Sequence, residues 1–403
     1  MAIAAHYYHV LSRRRDGRAE AAGWNGYGQL GDGTTESRDF PVLVADMLPW
    51  VSAVAAGYRH SCFLTESGEA WACGDNSYGQ LGDGSFEQRT KPVKVLSMVR
   101  SIACGSFHTL FFKIDGTVWA TGANKWGQLG DGTSKNRASP VQVCQTQCVN
   151  KYVAISAGLY HSLFVTETGC VHGTGYNGHS QLAAEMVILY VLFPIHVFCN
   201  IHRGNGSKVR SVVAGETHSV FIGEDNNAWV VGDNSYGQLG IGNLQSCDSP
   251  RLALDHVQEA AASAYHTLFL RTDGKVMVSG WNKYGQLGPI QRTSRIDHIM
   301  DRPVEVGGFS WSPVIYKHVV ATYYSSFVVR ADHGNSVDSW GYNDRYGMFG
   351  IGEGEGSHCM EARETLLGCL THPVWQLVLS FHRQALPRMS CTNRHFDLMR
   401  IAL

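Results

Sequence analysis

Short apolar segments recur along this chain and are separated by polar, glycine-rich turns. The second group shows the order clearly, with apolar segments at Val51–Ala56, His60–Leu64 and Ala70–Cys73, followed after a glycine-rich loop by Pro92–Val95. Between the second and third segments lies Glu66-Ser67-Gly68, where glycine supplies the positive φ that tight hairpin turns need. A proline at the start of the last segment is typical of an edge strand. The pattern therefore predicts four antiparallel strands, with the edge strand last.

This unit occurs seven times along the chain. A period of about fifty residues built from short strands is typical of a radial repeat fold. We therefore predict an all-β protein, a seven-bladed β-propeller of four-stranded antiparallel blades over residues 1–377, with a short irregular C-terminal tail at 378–403. The most regular element is Asn-x-x-Gly-Gln-Leu-Gly, at Asn25–Gly31, Asn76–Gly82, Asn124–Gly130, Asn234–Gly240 and Asn282–Gly288, with altered copies at Asn177–Ala183 and Asn343–Gly350.

Three residue types recur at fixed places in the unit, and we interpret all three as structural. The asparagines of the loop element are expected to satisfy loop amides, and its leucines to fill the gaps between blades. One histidine per blade is expected to be a buried hydrogen-bonding strut, since side chains held apart around a ring cannot cluster as metal ligands. These histidines are His9, His60, His108, His161, His218 and His266, with Ser325 in the seventh copy.

The composition narrows the class of protein. A formal charge of −1 gives no global attraction to nucleic acid or to an acidic membrane. Eleven cysteines without framework spacing predict reduced, packed thiols rather than a disulfide scaffold. The apolar segment Met186–Cys199 is too short to span a bilayer and is interpreted as an irregular, strand-bearing insertion. With no secretion signal at the N-terminus, we expect a soluble protein of the cytoplasm, or alternatively of the nucleus.

The repeated Gly-x-Asn-x-x-Gly-Gln-Leu-Gly motif resembles the repeats of the regulator of chromosome condensation family over roughly residues 1–377. This resemblance implies a seven-bladed propeller and three candidate roles. The first is guanine-nucleotide exchange on a small GTPase, aided by a protruding wedge. The second is a protein-binding platform, as in ubiquitin ligases and membrane-traffic regulators. The third is ultraviolet sensing through tryptophans clustered on one face.

The turn before the recurring histidine argues against the third role. The photoreceptor of the family carries Gly-Trp-Arg-His-Thr there, whereas this chain has Gly57-Tyr-Arg-His-Ser61 and Gly105-Ser-Phe-His-Thr109, and no repeat places tryptophan in that turn. Light sensing is therefore not expected. For the first role, the long connections 183–208 and 289–315 are candidates for a protruding wedge.

Ring closure is expected to differ from that of the family, which usually builds one blade from both chain ends. Here the repeat begins with an inner strand at Ala2–Ala5 and ends with an outer strand at Pro373–Leu377. Every blade would then be continuous, and packing between the first and last blades would close the ring. The tail at 378–403 is a candidate for an additional strap.

The same turn provides the candidate binding surface. Because these turns join inner strands, they should surround one mouth of the central channel. Tyrosine with occasional arginine is the composition of protein-contact hot spots, although the rings could instead cap the channel by packing on each other. The candidate partner-binding residues are Tyr7, Tyr8, Tyr58, Arg59, Phe107, Tyr160, Tyr265, Tyr323 and Tyr324.

No motif indicates an enzyme or a cofactor site: there is no nucleophile elbow, phosphate loop or His-Glu-x-x-His. Two Cys/His pairs in the tail, Cys369 with His372 and Cys391 with His395, have a spacing compatible with a small zinc site. Our hypothesis is a non-catalytic propeller that binds a protein, with exchange on a small GTPase as the specific activity. A scaffold without exchange activity is the alternative, and no direct nucleic-acid partner is expected.

Overall fold

The computed structural model describes residues 3–45, 48–144, 151–184, 188–199, 207–290, 298–307, 314–332, 336–343 and 357–365. Across these residues the chain forms seven four-stranded antiparallel sheets, each made of four consecutive strands. The predicted all-β, seven-bladed propeller is therefore confirmed. Within the same ranges, no helix is long and apolar enough to cross a membrane.

The first four blades run from β1 to β16. Blade 1 contains β1 (Ile3–His6), β2 (His9–Arg13), β3 (Ala19–Gly23) and β4 (Arg38–Leu43). Blade 2 contains β5 (Val51–Ala56), β6 (His60–Thr65), β7 (Ala70–Gly74) and β8 (Arg89–Leu96). Blade 3 contains β9 (Val99–Cys104), β10 (His108–Lys113), β11 (Val118–Gly122) and β12 (Arg137–Gln142). Blade 4 contains β13 (Tyr152–Ala157), β14 (His161–Thr166), β15 (Cys170–Tyr176) and β16 (Tyr190–Cys199).

The remaining three blades follow the same order. Blade 5 contains β17 (Val209–Ala214), β18 (His218–Gly223), β19 (Ala228–Gly232) and β20 (Cys247–Leu254). Blade 6 contains β21 (Val257–Ala262), β22 (His266–Arg271), β23 (Val276–Trp281) and β24 (Ile299–Glu305). Blade 7 contains β25 (Tyr316–Ala321), β26 (Ser325–Arg330), β27 (Val337–Asn343) and β28 (Ser357–Thr365).

The ring closes by packing between two continuous blades, as the sequence predicted. Blades 1 and 7 each consist of four consecutive strands, and β1 packs against β25. Their interface is apolar, with Ala5 and Val10 of blade 1 in one cluster with Phe327 and Val329 of blade 7. Burial of this apolar surface provides the closing free energy. The proposed strap at 378–403 lies outside the described residues.

The position of the last outer strand was predicted wrongly. Blade 7 is completed by β28, which pairs with β27, so its outer strand precedes the Pro373–Leu377 segment predicted from the sequence. The latter segment lies outside the described residues. The sequence Ser357-His-Cys-Met-Glu-Ala-Arg-Glu-Thr365 is polar and lacks the proline that marks the other outer strands. A strand with one neighbour and one exposed edge does not need an apolar sequence, so periodicity did not reveal it.

Both connections predicted as candidate wedges contain a blade strand, and their residues 185–187, 200–206, 291–297 and 308–313 lie outside the described residues. The segment 183–208 contains β16, which pairs with β15, and the segment 289–315 contains β24, which pairs with β23. The apolar segment bears a strand, as predicted, but Tyr190–Cys199 is the regular outer strand of blade 4 and not part of an insertion. The strand packs inward at its C-terminal end, where Phe198 is buried, and leaves Tyr190 and Phe193 exposed toward its N-terminal end.

The loop element fills the space between neighbouring blades, as the sequence predicted. Leu30 is fully buried and packs with Phe63 and Cys73 of the next blade. Asn25 holds the loop, because its Oδ1 accepts a hydrogen bond from the Leu30 amide at 2.9 Å while its Nδ2 donates to the Thr34 carbonyl oxygen at 3.1 Å. The equivalent leucines are equally buried, namely Leu81, Leu129, Leu182, Leu239 and Leu287.

A glycine ends the regular part of each third strand for two reasons. Gly122 has a φ of 108°, a conformation that side chains other than glycine rarely adopt. A Cβ atom there would also lie 2.5 Å from the Phe107 carbonyl oxygen. The chain can therefore leave the sheet close to the first turn of the same blade, which brings the loop beside that turn.

The expectation that the cysteines are all reduced is wrong. Cys170 and Cys199 form a disulfide between β15 and β16, with Cα atoms 4.4 Å apart, and Cys144 is also disulfide-bonded. In sequence, Cys170 and Cys199 are separated by 29 residues, and only strand pairing makes them neighbours. In contrast, Cys62, Cys73, Cys104 and Cys247 are free thiols.

Candidate functional site

The turns at one end of the propeller are held by a relay of hydrogen bonds between blades. The His108 Nε2 atom lies 2.9 Å from the Ser162 hydroxyl oxygen of the next blade, and that hydroxyl donates to the Gln128 carbonyl oxygen at 2.7 Å. Because the single hydroxyl proton is given to the carbonyl, the imidazole must be the donor through its Nε2–H. The hydroxyl therefore joins the histidine and the loop of one blade to the second strand of the next.

The relay is repeated at six junctions and absent at the seventh. Burial lowers the pKa of His60, for example, to about 3, so the ring stays neutral and keeps this tautomer. These observations confirm the strut interpretation. At the junction of blades 7 and 1, Ser325 replaces the histidine and Val10 replaces the hydroxyl residue, so both members are missing together. The other links are His9–Ser61, His60–Thr109, His161–Ser219, His218–Thr267 and His266–Ser326.

The relay positions the residues just before each histidine around the channel, and the structure brings all nine sequence-predicted residues together. We call them the mouth cluster: Tyr7, Tyr8, Tyr58, Arg59, Phe107, Tyr160, Tyr265, Tyr323 and Tyr324. At its centre, the Tyr7 ring lies 4.5 Å from that of Tyr58 and 4.8 Å from that of Tyr323. Ring contacts continue in both directions, through Tyr58–Phe107 and Phe107–Tyr160 on one side and Tyr323–Tyr265 on the other.

Arg59 is fixed within this cluster by aromatic rings. Its guanidinium carbon lies 4.8 Å from the ring centre of Tyr27, 5.0 Å from that of Tyr58 and 5.7 Å from that of Trp24. Its Nη1 also donates a hydrogen bond to the Tyr27 hydroxyl at 2.9 Å. Cation–π attraction and this bond restrict a long side chain that would otherwise lose entropy on binding.

A second set of aromatic residues, which the sequence analysis missed, lies outside the mouth cluster. Tyr78 contacts Phe107 and Tyr284 contacts Tyr324, with ring centres 5.6 and 4.9 Å apart. The signal was present in the loop element, because the second variable position of Asn-x-x-Gly is aromatic in most copies. We call this set the outer aromatic group: Trp24, Tyr27, Tyr78, Trp126, Tyr176, Tyr236, Trp281, Tyr284 and Tyr342.

Blade 5 introduces a carboxylate into the mouth. Glu216 occupies the turn position that tyrosine fills in Tyr7, Tyr58 and Tyr323, and it lines a cavity of about 150 Å³ in the channel together with Tyr323. Burial raises the pKa of Glu216 to about 8. The neighbouring carboxyl group also contributes, after burial itself, to raising the pKa of Tyr323. Sequence reasoning missed Glu216 because only the ring geometry shows that it faces the aromatic residues.

The mouth cluster is partly accessible to solvent. All nine side chains of the mouth cluster are partly buried, so they pack on each other and also present surface to solvent, and Tyr78 of the outer aromatic group is 42% exposed. The rings therefore pack on each other, as one alternative predicted, and partner binding stays a prediction. Two groups of Cys and His side chains with the spacing of metal ligands lie elsewhere in the described part of the chain. The tail residues Cys369, His372, Cys391 and His395 lie outside it.

The fold and this mouth define a seven-bladed propeller protein of the kind built from repeats of about fifty residues. Residues 94–372 match the RCC1-like domain, and residues 16–64, 67–112 and 51–80 match regulator of chromosome condensation (RCC1) repeats. The chain belongs to the RCC1-like domain family.

Solved structures show the same architecture. Yeast RCC1 (Prp20), in its complex with Kap60, superposes with a TM-score of 0.72 at 22% identity, over 85% of this chain and 82% of that one. Human WBSCR16 gives a TM-score of 0.70 at 22% identity, over 82% of this chain and 87% of that one. At this level of identity the similarity concerns the fold.

Curated relatives have different activities and are longer than the matched region. The ultraviolet-B receptor UVR8 of Arabidopsis thaliana is 28% identical over 257 residues, which cover 62% of this chain and 45% of the receptor. The probable E3 ubiquitin-protein ligase HERC4 of Mus musculus is 34% identical over 252 residues, which cover 62% of this chain and 19% of the ligase. The chain thus matches less than half the length of these relatives.

Proposed function

We propose that the mouth cluster is a docking surface for a protein partner and that this chain promotes nucleotide release from a small GTPase. The observation that carries the proposal is the continuous aromatic surface from Tyr160 through Tyr7 to Tyr265, with Arg59 fixed beside it. Tyrosine and arginine contribute strongly to protein interfaces because they combine large apolar contact area with polar groups.

The rigidity of the mouth favours this role. Six of the seven turns are fixed by the relay, and rings that already contact their neighbours lose little conformational entropy when a partner binds. Nucleotide exchange requires no covalent chemistry. A surface that binds the nucleotide-free GTPase more tightly than the loaded form shifts the equilibrium toward release. We accordingly propose a binding and regulatory role rather than catalysis of bond formation.

The comparisons support the general class of function. The structurally similar Prp20p of Saccharomyces cerevisiae has binding properties toward Gsp1p and histones. A nuclear location for the present chain agrees with this and forms part of the proposal, whereas the cytoplasmic location expected from the sequence has no support from the comparisons. The activity of the ultraviolet receptor is not extended to this chain, because the place of tryptophan in that receptor type, two residues before the histidine, is filled here by residues such as Tyr58, Ser106 and Glu216.

The test is release of a fluorescent nucleotide from Ran-, Rab- and Rho-type GTPases, with catalytic amounts of the full chain. We expect one member to release nucleotide faster, and Tyr58→Ala or Tyr323→Ala to reduce the rate by at least about tenfold, as expected for hot-spot residues. The matched control is Trp50→Ala. Trp50 is 65% exposed and packs beside Gly17 at the hairpin turn at the opposite end of blade 1. Equal rates for wild type and both tyrosine variants would exclude exchange through the mouth.

A scaffold without exchange activity is the second candidate. It is favoured by the similarity to HERC4, in which the matched region is a minor part of a much longer chain. In that case the panel shows no acceleration. Affinity capture with wild type, but not with Tyr58→Ala, would then recover a partner that binds at the same mouth.

A further inference from the structure

Blade 4 contains a group of cysteine and histidine side chains that the mouth does not use. Cys170 and His172 lie on β15, and Cys199 and His196 lie on the adjacent edge strand β16. In blades 2, 3 and 5, the position of His172 in the third strand is filled by tryptophan, at Trp71, Trp119 and Trp229. Blade 4 thus has an imidazole, whose nitrogen can bind a metal, where blades 2, 3 and 5 have an indole, whose N–H is a donor only.

The strand pairing places all four side chains on one face. Cys170 is paired with Cys199 and His172 with His196, so the two pairs are two positions apart on β15 but three positions apart on β16. Residues three apart on a regular strand point to opposite faces. The irregularity in the ladder between the two pairs inserts one residue into β16 and returns His196 to the face of Cys199.

The distances fit a compact metal site. One ligand atom from each of Cys170, His196 and Cys199 lies within 4.8 Å of the others. The His172 ring centre is 6.3 Å from that of His196, and the His172 Nδ1 atom is buried without a hydrogen-bond partner. Thiolate and imidazole are the ligands that Zn²⁺ takes in tetrahedral structural sites, with Zn–S near 2.3 Å and Zn–N near 2.0 Å.

We propose that reduction of the Cys170–Cys199 disulfide converts this face of blade 4 into a zinc site, with Cys170, Cys199 and His196 as ligands and His172 as the fourth. The site is independent of the proposed docking function at the mouth. Zinc would cross-link the edge strand β16 to β15 in the reduced protein, as the disulfide does in the oxidised one.

Electrons and protons balance in the conversion between the disulfide-bonded state and the zinc-bound state. A dithiol reductant transfers two electrons and two protons to the disulfide, giving two cysteine thiols and an oxidised, disulfide-bonded reductant. Binding of Zn²⁺ then releases one proton from each thiol, and the neutral histidines contribute nitrogen lone pairs. In the reverse direction, a disulfide oxidant takes two electrons from the two thiolates and two protons from solvent and becomes a dithiol; the Cys170 and Cys199 sulfurs rejoin and the metal is released.

The other cysteine–histidine group in the described part of the chain is a poorer candidate. His60, Cys62 and Cys104 also lie close together. However, the His60 Nε2 atom is already bonded to Thr109 in the relay, and Cys62 is fully buried between blades. Binding a metal there would break a link between blades 2 and 3, whereas the blade 4 group is on an edge strand. Cys62→Ser therefore provides a control.

The experiment uses Co²⁺ as a spectroscopic probe for the zinc site in the full chain. Wild type reduced with a dithiol, then freed of reductant under anaerobic conditions, should bind one equivalent of Co²⁺ with thiolate-to-cobalt charge-transfer absorption, and Zn²⁺ should displace it. The oxidised wild type should show no such absorption. Cys62→Ser and Cys247→Ser should bind as wild type does, since both replace free thiols outside the group.

The second part of the experiment uses variants of the proposed metal ligands. Cys170→Ser should lose the charge-transfer band, and His196→Ala should weaken binding by more than about tenfold, because losing a ligand exceeds the effect of losing an outer-shell partner. His196 is exposed, so its substitution should leave the fold intact by circular dichroism. The proposal is overturned if folded, reduced wild type binds no more Co²⁺ than the oxidised protein, or if Cys170→Ser binds as wild type does. Should Cys170→Ser misfold, the comparison of reduced with oxidised wild type decides.

Discussion

The Nε2 atom of His60 lies 2.9 Å from the hydroxyl oxygen of Thr109 in the next blade. That hydroxyl donates in turn to the Gln80 carbonyl oxygen at 2.8 Å. One buried hydroxyl therefore satisfies a donor and an acceptor of the preceding blade. The arrangement joins consecutive blades without a shared strand and without a charged pair, and it holds the turns on which the mouth cluster is displayed.

The first prediction concerns this hydroxyl. Thr109→Val keeps the shape of the side chain but leaves the His60 N–H and the Gln80 carbonyl buried without partners. We expect a loss of about 2–4 kcal/mol in the free energy of unfolding, since each unsatisfied buried group costs about 1–3 kcal/mol. Urea denaturation measures the loss. In a double-mutant cycle, Thr109→Val should cost less in a His60→Ala background than in wild type. Additive effects would show that the two side chains do not act as a unit.

The second prediction concerns the residue three positions before the histidine. A Cβ atom at Gly105 would overlap the His108 ring and lie 2.5 Å from the Gly158 carbonyl oxygen. A Cβ atom at Gly215 would lie 2.8 Å from the nearest atom of the His218 ring and 2.8 Å from the Ser263 carbonyl oxygen. We expect Gly105→Ser to lower the free energy of unfolding by about 2–3 kcal/mol through overpacking, and Gly215→Ser by less than about 1 kcal/mol.

Blade 6 explains the difference between these two variants. It naturally carries Ser263 at this place, with its hydroxyl oxygen 2.8 Å from the His266 Nδ1 atom. The His218 Nδ1 atom of blade 5 is buried and lacks a hydrogen-bond partner. Gly215→Ser can offer it the same bond. Thermal unfolding of both variants checks the prediction, and an equal loss in the two would contradict it.

The third prediction is that acid destabilises the propeller. Burial lowers the pKa of His9, His60, His108, His161 and His266 to about 3, and that of His218 to about 4. Below pH 6.5 the unfolded chain therefore binds more protons than the folded one. Stability is complete above pH 6.5 and decreases as the pH falls toward 4. Between pH 7 and pH 5 each such histidine removes about 2 kcal/mol.

Single substitutions test the assignment to these histidines. His60→Gln retains an N–H donor and should make the decrease in free energy of unfolding between pH 7 and pH 5 smaller by about 2 kcal/mol. The control is His256→Gln, because His256 is exposed and lies outside the relay. Urea denaturation at both pH values measures each decrease. A wild-type stability that does not change over this range would contradict the burial of neutral histidines.

The fourth prediction concerns Glu216 and has the opposite direction in pH. Its pKa is raised by burial to about 8, so the folded state binds more protons than the unfolded state between pH 4.5 and pH 8. Its contribution to stability is complete below pH 4.5 and is lost as the pH rises toward 8. Glu216→Gln removes this loss.

The comparison of unfolding at pH 5 and pH 8.5 measures the effect. At pH 8.5 Glu216→Gln should be more stable than wild type by about 1–3 kcal/mol, the partial exposure of the side chain keeping the gain below that of full burial. The control Glu224→Gln, an exposed residue of the same blade, should behave as wild type at both pH values. An identical pH dependence for wild type and Glu216→Gln would show that the carboxyl group is well solvated.

Much of the architecture follows from the sequence because each repeat contains its own folding signals. Hairpin turns such as Ser67-Gly68, the apolar strands and the loop element act within a single blade, so their spacing predicts the number of blades and of strands. The role of His108 was also predictable, because a polar residue repeated inside apolar strands must find a partner. The aromatic character of the turns was visible in Tyr7, Tyr58 and Tyr323.

The tertiary structure decided the contacts between residues that are far apart in the sequence. The hydroxyl partner of His108, the position of Glu216 among the tyrosines and the meeting of Cys170 with Cys199 arise from blade-to-blade packing or strand pairing, which local periodicity does not contain. The outer strand β28 was also decided there, because its sequence lacks the proline that marks the other outer strands. The sequence therefore determined the blade and its repetition, and the closed ring determined which side chains face each other.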